Sequence, residues 1–320
     1  MISITLAIPA FIIGVLFLWK GSDILVDGTS KTAAQLGIPA LIISVLIVGF
    51  GTSAPEFAIS VGAAYQSNSE ISLGNIIGSC VANLLLVLGV ASIIRPIKIK
   101  KGIIRREVPI MLGATVILLA ASYFGLLDNY HLIGGIVFLI LFALFIYFFV
   151  CCAKKERDNT VKYNKGKTAK NILFIFLGII GVIAGAWLLI ESAVAIAEFL
   201  QINRFIIAIS MVAIGTSLPE LVVSSMAAYK NEPDIAVGNV LGSNVFNILM
   251  ILGVAALFIP LQANIPESMA HLWILLAVSF MMFPILYTGH KISRIEGVFM
   301  LAIYSVFIWY TFFGYKLIFY

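Results

Sequence analysis

Gly49-Phe50-Gly51-Thr52-Ser53-Ala54-Pro55-Glu56 puts a carboxylate, two hydroxyls, a proline and two glycines inside a run otherwise apolar enough to cross a membrane. The stretch recurs 164 positions later as Ala213-Ile214-Gly215-Thr216-Ser217-Leu218-Pro219-Glu220. The match continues without a gap, with 22 identities between the 48 positions 49–96 and 213–260. Working outward from these two copies gives the fold.

With 62% hydrophobic and 11% charged residues over 320 positions, the chain has more apolar surface than one soluble core can hide, which marks an all-α polytopic membrane protein. A hydrocarbon core about 30 Å thick needs about 20 apolar residues per helix. Ten runs meet that need: 2–20, 38–64, 71–94, 107–124, 131–150, 171–197, 203–229, 235–259, 268–287 and 294–314. The first has no basic leader and no small-residue cleavage site, so it reads as a span and not a removable signal. Cys80, Cys151 and Cys152 make no disulfide framework. His131, His271 and His290 fall in different segments without ligand spacing and read as loop or interface residues. No GxxxxGK[ST] loop is present, which argues against a nucleotide-driven pump.

Counting Lys and Arg in alternate loops gives eighteen on one side and only Arg204 and Lys316 on the other. The positive-inside rule then predicts a cell-membrane protein with the linker 151–170 in the cytoplasm and both termini outside. This topology accounts for the net charge of +5 without nucleic acid. The partner of the apolar surface is the lipid bilayer, and no obligate protein partner is evident.

The chain divides into a first half, 1–150, a basic linker, 151–170, and a second half, 171–320, with five spans in each half. An odd number of spans makes the second copy of the motif run through the membrane in the opposite direction. Such inverted repeats hold a substrate or ion site near the midplane, between two pseudo-symmetric halves. Pro55 and Pro219 each remove a helical hydrogen bond and bias the preceding residue away from the helix, so both motif helices are expected to break. Gly49, Gly51 and Gly215 would accommodate unusual backbone angles there. Thr52, Glu56 and Ser60 recur at i, i+4, i+8, as do Thr216, Glu220 and Ser224. The next spans carry Asn75, Ser79 and Asn83, matched by Asn239, Ser243 and Asn247. Gly74 with Gly78, and Gly238 with Gly242, would let these helices approach closely.

Carboxylate, hydroxyl, amide and carbonyl oxygens without thiolate or imidazole describe a site for a hard cation, calcium or sodium. Two glutamates carry the charge that one Ca²⁺ or two Na⁺ would neutralise, which implies competition between them.

The pair of GTS-x-PE motifs, each followed by Gly-Asn-x-x-Gly-Ser (Gly74 to Ser79, Gly238 to Ser243), resembles the alpha-repeats of the sodium/calcium exchangers of the cation/calcium antiporter superfamily. The resemblance implies a prokaryotic-type exchanger without a large regulatory loop, a transporter and not an enzyme. It would need no cofactor and move Ca²⁺ and Na⁺, with export of Ca²⁺ expected from the usual inward sodium gradient. It implies a core of spans two, three, seven and eight holding four cation sites. Glu56 and Glu220 would be shared ligands, with oxygens from Thr52, Ser53, Thr216, Ser217, Ser79 and Ser243. The carbonyls of Gly49 and Ala213 would join them, and Asn83 and Asn247 would flank the centre. Spans one and six would slide across this core; Gly14, Gly21, Gly178, Gly181 and Gly185 would either permit that sliding or serve ordinary close packing. Some exchangers carry aspartate where this chain has Asn247, which leaves the number of sodium ions open. Two other readings stay in play: an H⁺/Ca²⁺ antiporter of the same superfamily and a passive cation channel. The first is disfavoured because Ile76-Ile77 and Val240-Leu241 stand where those relatives place an acid.

Overall fold

A computed structural model describes residues 4–158, 165–200 and 215–311. Ala213 and Arg204, the first part of the 203–229 run, Lys162 and Lys316 lie outside the described residues.

The chain is helical nearly throughout. Helix α1 (Ile4–Leu36) is one element of 33 residues, about 50 Å at 1.5 Å per residue. It outruns the span expected to stop at residue 20, so Lys20 and Lys31 lie on a helix and not in a loop. Its polar half stays helical because Lys20 pairs with Asp23 and Lys31 with Asp27 at i,i+3 and i,i+4 spacing. Helix α8 (Lys165–Phe199) runs antiparallel to it. A Cβ on Gly178 would lie 2.8 Å from the Leu25 backbone, and one on Gly185 2.6 Å from Leu18 N. Gly14 and Gly21 meet Gly185 and Gly178 in the same way. These glycines therefore join α1 to α8, which is the close packing that the sequence offered beside sliding over the core.

The motif run is broken as expected. Helix α2 (Ala40–Thr52) and helix α3 (Ala54–Tyr65) meet at a bend of 49°. The break falls on Ser53 (φ −81°, ψ 9°), one residue earlier than the effect of Pro55 on Ala54 predicts. Ala54 begins α3, and Pro55 sits in its first turn, where a missing N–H is harmless. Gly49 keeps ordinary helical angles (φ −59°, ψ −40°). The need for glycine there is close approach, since a Cβ would come within 2.9 Å of Ser243 N. Gly51 is likewise pressed against Ile179, 2.5 Å from a Cβ to Cδ1.

Helix α4 (Ser69–Ile94) and helix α10 (Pro233–Ala256) form the centre, 78% and 94% buried over their apolar stretches against 17% for the peripheral helix α7 (His131–Lys155). Each contains a π-helical stretch at matched positions, Asn83–Val87 and Phe246–Ile251. After α4 come strand β1 (Ile97–Lys98), the short helix α5 (Lys101–Arg105) and helix α6 (Glu107–Tyr123). Helix α9 (Leu218–Tyr229) precedes α10, and helix α11 (Pro266–Tyr287), strand β2 (Lys291–Ile292) and helix α12 (Arg294–Trp309) follow it. Among the described residues six helices are long and apolar enough to cross a membrane, seven with the bent α2–α3 pair. At 17 and 16 residues, α6 and α12 fall short of that length.

The charged loops gather at one end of the bundle. Lys230, in the turn between α9 and α10, pairs with Asp23 and Asp27 of α1. Lys100 pairs with Asp234, and Arg106 with Glu107 and Glu156. There β1 and β2 form a two-residue antiparallel ladder, Ile97 facing Ile292, that the sequence did not foretell. At the other end Asp128 accepts the backbone N–H groups of Ala263 and Asn264 at 2.8 and 2.9 Å.

Candidate functional site

The two breaks have nearly the same backbone. Ser217, ahead of α9, has φ −81° and ψ 5°, matching Ser53 to within a few degrees, and Pro219 again lies in the first turn. Each break turns the Thr-Ser pair and the glutamate one turn later toward α4 and α10. Thr52, Ser53, Glu56, Ser79, Asn83, Thr216, Ser217, Glu220, Ser243 and Asn247 are all buried, both glutamates fully. Ser60 and Ser224 are buried with them, as are Asn75 and Asn239.

Hydrogen bonds tie the four segments together, and they repeat under the offset of 164. Asn75 Nδ2 donates to Ser60 Oγ at 2.9 Å and Asn239 Nδ2 to Ser224 Oγ at 3.0 Å. Each bond pins a motif helix to the helix after it. Thr52 Oγ1 donates to Asn239 Oδ1 at 3.0 Å, and Thr216 Oγ1 to Asn75 Oδ1 at 3.4 Å. Across the halves, the Ser79 and Thr216 hydroxyls lie 3.1 Å apart and those of Thr52 and Ser243 3.5 Å apart. The Gly49 carbonyl accepts from Ser243 Oγ at 3.2 Å. Thus α2 is tied to α10, and α4 to the start of α9.

The two carboxylates differ in their surroundings. Glu220 Oε1 accepts from Ser53 Oγ at 3.0 Å and Ser243 Oγ at 3.3 Å. Glu56 has the Ser79 and Thr216 hydroxyls beside it, but neither oxygen has a hydrogen-bond partner of good geometry. Glu220 Oε2, Ser217 Oγ, Asn83 Oδ1 and both amide atoms of Asn247 are also buried without partners among the described residues. Leaving so many polar atoms unpaired is costly in a folded interior, and most of them are oxygens that can face a cation. No three His, Cys, Asp or Glu side chains come together among the described residues. The donor set is therefore two carboxylates amid neutral oxygens, the preference of a hard ion.

Asn244 is a member of this cluster that spacing alone missed. It lies one residue past Ser243, off the i, i+4 stripe, and the first copy has Cys80 at the matching position. Cys80 is buried and unpaired in a disulfide. Gly238 and Gly242 behave as expected, with Cβ positions 2.9 Å from Ser44 Cβ and 2.7 Å from Val45 O. The residues matching Leu41 to Val45 in the second half lie outside the described residues, so Gly74 and Gly78 have no such comparison. His131 caps a helix end, its Nδ1 lying 2.7 Å from the Ala256 carbonyl.

A bundle of apolar helices enclosing two buried carboxylates, each in the first turn of a helix that opens a copy of one motif, is a multi-pass membrane protein with a polar centre. The sodium/calcium exchanger protein family model matches residues 6–151 and 170–313, and the chain belongs to that family of transporters. It is 30% identical to the sodium/calcium exchanger MaX1 of Methanosarcina acetivorans, over 95% of this chain and 98% of that one. It is 34% identical to the inner membrane protein YrbG of Escherichia coli, over 80% and 81%. Among solved structures, the sodium-calcium exchanger NCX_Mj soaked with Na⁺ and Ca²⁺ superposes with a TM-score of 0.82 at 32% identity, covering 94% of this chain and 97% of that one.

Proposed function

We propose that the chain is a secondary active antiporter that exchanges Na⁺ for Ca²⁺ by alternating access, with Ca²⁺ leaving the cell. One observation carries the reading: Glu56 and Glu220, from two copies of one motif, are both fully buried amid hydroxyl, amide and carbonyl oxygens and, among the described residues, without a basic partner. Isolated carboxylates at membrane depth are expensive and mark ion pathways. One Ca²⁺ or two Na⁺ would neutralise this pair, and ions that share ligands cannot bind together, which is the requirement for coupled exchange. The ligands in this reading are Glu56 and Glu220, with Thr52, Ser53, Ser79, Asn83, Thr216, Ser217, Ser243 and Asn247, and the carbonyls of Gly49 and Ala213. The ions are cargo, and the exchange needs no cofactor.

The same reading takes the architecture as ten membrane helices in two inverted halves, 1–150 and 171–320, joined by the linker 151–170. Helices α6 and α12, and the run completed by α9, supply the crossings beyond the seven that length alone allows. Two features support it: the matching hydrogen bonds across the 164-residue offset, and the gathering of Lys100, Arg106 and Lys230 at one end of the bundle. That end faces the cytoplasm of a cell membrane, and both termini lie outside.

The names of MaX1 and NCX_Mj favour sodium coupling. Coupling to protons is the second reading, since one relative, the putative antiporter CaxA of Alkalimonas amylolytica, is named for antiport with no ion specified. Calcium uptake into proteoliposomes loaded with sodium, set against vesicles carrying only a pH gradient, separates them. Sodium-driven uptake is expected. Uptake driven by protons and indifferent to sodium overturns the coupling.

A further inference from the structure

Asn244 lies at the junction of the halves, 1% exposed. Its Nδ2 donates to the main-chain carbonyl of Cys80 at 3.2 Å and lies 3.9 Å from Met111 Sδ. Its Oδ1 accepts from Asn83 Nδ2 at 3.0 Å. A main-chain carbonyl can only accept, so the Asn244 amide must present its NH₂ to Cys80 and its oxygen to Asn83. Asn83 must in turn give its NH₂ to Asn244. Its Oδ1 is thereby turned away, on the α4 face it shares with Ser79 one turn earlier, and it has no partner among the described residues.

The second half has no such device. Under the offset of 164, Asn83 corresponds to Asn247 and Asn244 to Cys80. The Cys80 thiol lies 3.9 Å from the Asn244 main-chain carbonyl and beside the Asn247 amide, but a weak S–H donor cannot dictate the orientation of an amide. Neither amide atom of Asn247 has an oxygen or nitrogen partner among the described residues. Two halves that match in Glu, Thr, Ser and Asn thus differ at the one position that decides whether a flanking amide is held.

We propose that Asn244 is a positioning residue that fixes Asn83 with its amide oxygen toward the bound cation, giving a pseudo-symmetric site one fixed and one adjustable amide. This rests on the reading of the cluster as a cation site. A fixed oxygen adds a ligand dipole for a hard divalent ion, whereas an amide free to turn can place its NH₂ there and repel the ion. Asn247, unheld, can offer either group.

The test is the Ca²⁺ dependence of uptake in proteoliposomes for the wild type and Asn244→Cys, which copies the first-half residue, each in the natural and in an Asn83→Asp background. A carboxylate presents oxygen whichever way it turns, so it needs no holding. We expect Asn244→Cys to raise the KM for Ca²⁺ about tenfold, the size of one lost hydrogen bond of about 1.4 kcal/mol, with little change in maximal rate. In the Asn83→Asp background the same change should leave KM within about twofold. If the cysteine variant does not fold, Asn244→Ser gives the same comparison. An unchanged KM in the natural background overturns the proposal, and so does an equal rise in both backgrounds, which would mark a merely structural role. A wild type that moves no Ca²⁺ under either a sodium or a pH gradient overturns the cation reading and this proposal with it. Normal wild-type uptake with an insensitive Asn244 overturns this proposal alone.

Discussion

Replacing Glu56 by glutamine removes one of the two buried charges while keeping the shape of the side chain. Neither Glu56 oxygen has a hydrogen-bond partner of good geometry among the described residues, so the change breaks no well-formed hydrogen bond. It gives an NH₂ group to a position beside the Ser79 and Thr216 hydroxyls. Without ions the native protein holds two buried carboxylates with no cation to offset them. A charge at membrane depth costs about 3 kcal/mol on insertion scales. Glu56→Gln should therefore unfold at a higher temperature than the native protein in ion-free detergent solution. Calcium reverses the order. In the native site one Ca²⁺ balances two carboxylates, whereas in the variant one positive charge is left over at a similar cost. At about 1.4 kcal/mol per tenfold, affinity should fall by about 100-fold or more. At a Ca²⁺ concentration 100 times the native Kd, binding stabilises the native protein by about 2.7 kcal/mol but the variant by about 0.4 kcal/mol or less. Thermal unfolding with and without Ca²⁺ reads both effects. Equal stabilisation of the two proteins by Ca²⁺ would falsify the assignment of Glu56 to the site, and a loss of ion-free stability would show that its charge is compensated in the fold.

Glu220→Gln should abolish calcium exchange as well. Its retained oxygen can still accept from Ser53 and Ser243, so a folded, inactive protein is expected from uptake assays and size-exclusion chromatography. Gly242→Val should destabilise by about 1–3 kcal/mol, the usual cost of overpacking, because even a Cβ meets the Val45 carbonyl at 2.7 Å; an unchanged unfolding temperature would contradict the close approach of α2 and α10. Lys230→Ala removes the ties to Asp23 and Asp27 that hold α1 to the turn between α9 and α10. It should change the maximal exchange rate while leaving Ca²⁺ affinity intact, and altered affinity with an unaltered rate would count against a role in motion. Although burial works against its charge, hydrogen bonds from Lys230 to Asp23 and Asp27 hold the ammonium above its usual value. A raised value means the tie is fully present below the unfolded value near 10.5 and is lost only as pH climbs through the folded one. The effect of Lys230→Ala should thus be the same across about pH 6 to 8.

How much of this was legible in the sequence depends on the kind of interaction. The breaks were, because proline acts on its own neighbours, and the offset of 164 said that whatever happened at Pro55 should recur at Pro219. The shift of the bend to Ser53 was not, since Pro55 fits the first turn of α3 and passes the strain back. The buried polar stripes were readable as i, i+4 spacing. Their partners were not, because Thr52 meets Asn239 and Ser79 meets Thr216 only through the crossing of the halves. The same holds for the glycines. Local chemistry suggests backbone freedom at Gly49 and leaves sliding and packing both open at Gly178, but the neighbours that actually demand glycine, Ser243 and Leu25, come from distant helices. The extension of α1 to Leu36 was hidden for a related reason: its charges look like a loop until Lys230 and α8 are there to cover them. Asn244 stayed out of sight because it breaks the duplication that revealed everything else.

The most direct test of the central claim is radioactive calcium binding to the purified protein, titrated with sodium. The account predicts competition, with the apparent Kd for Ca²⁺ rising as Na⁺ is added and little Ca²⁺ bound by Glu56→Gln or Glu220→Gln at concentrations that saturate the native protein. Calcium bound equally well with and without sodium, or held normally by either variant, would contradict it.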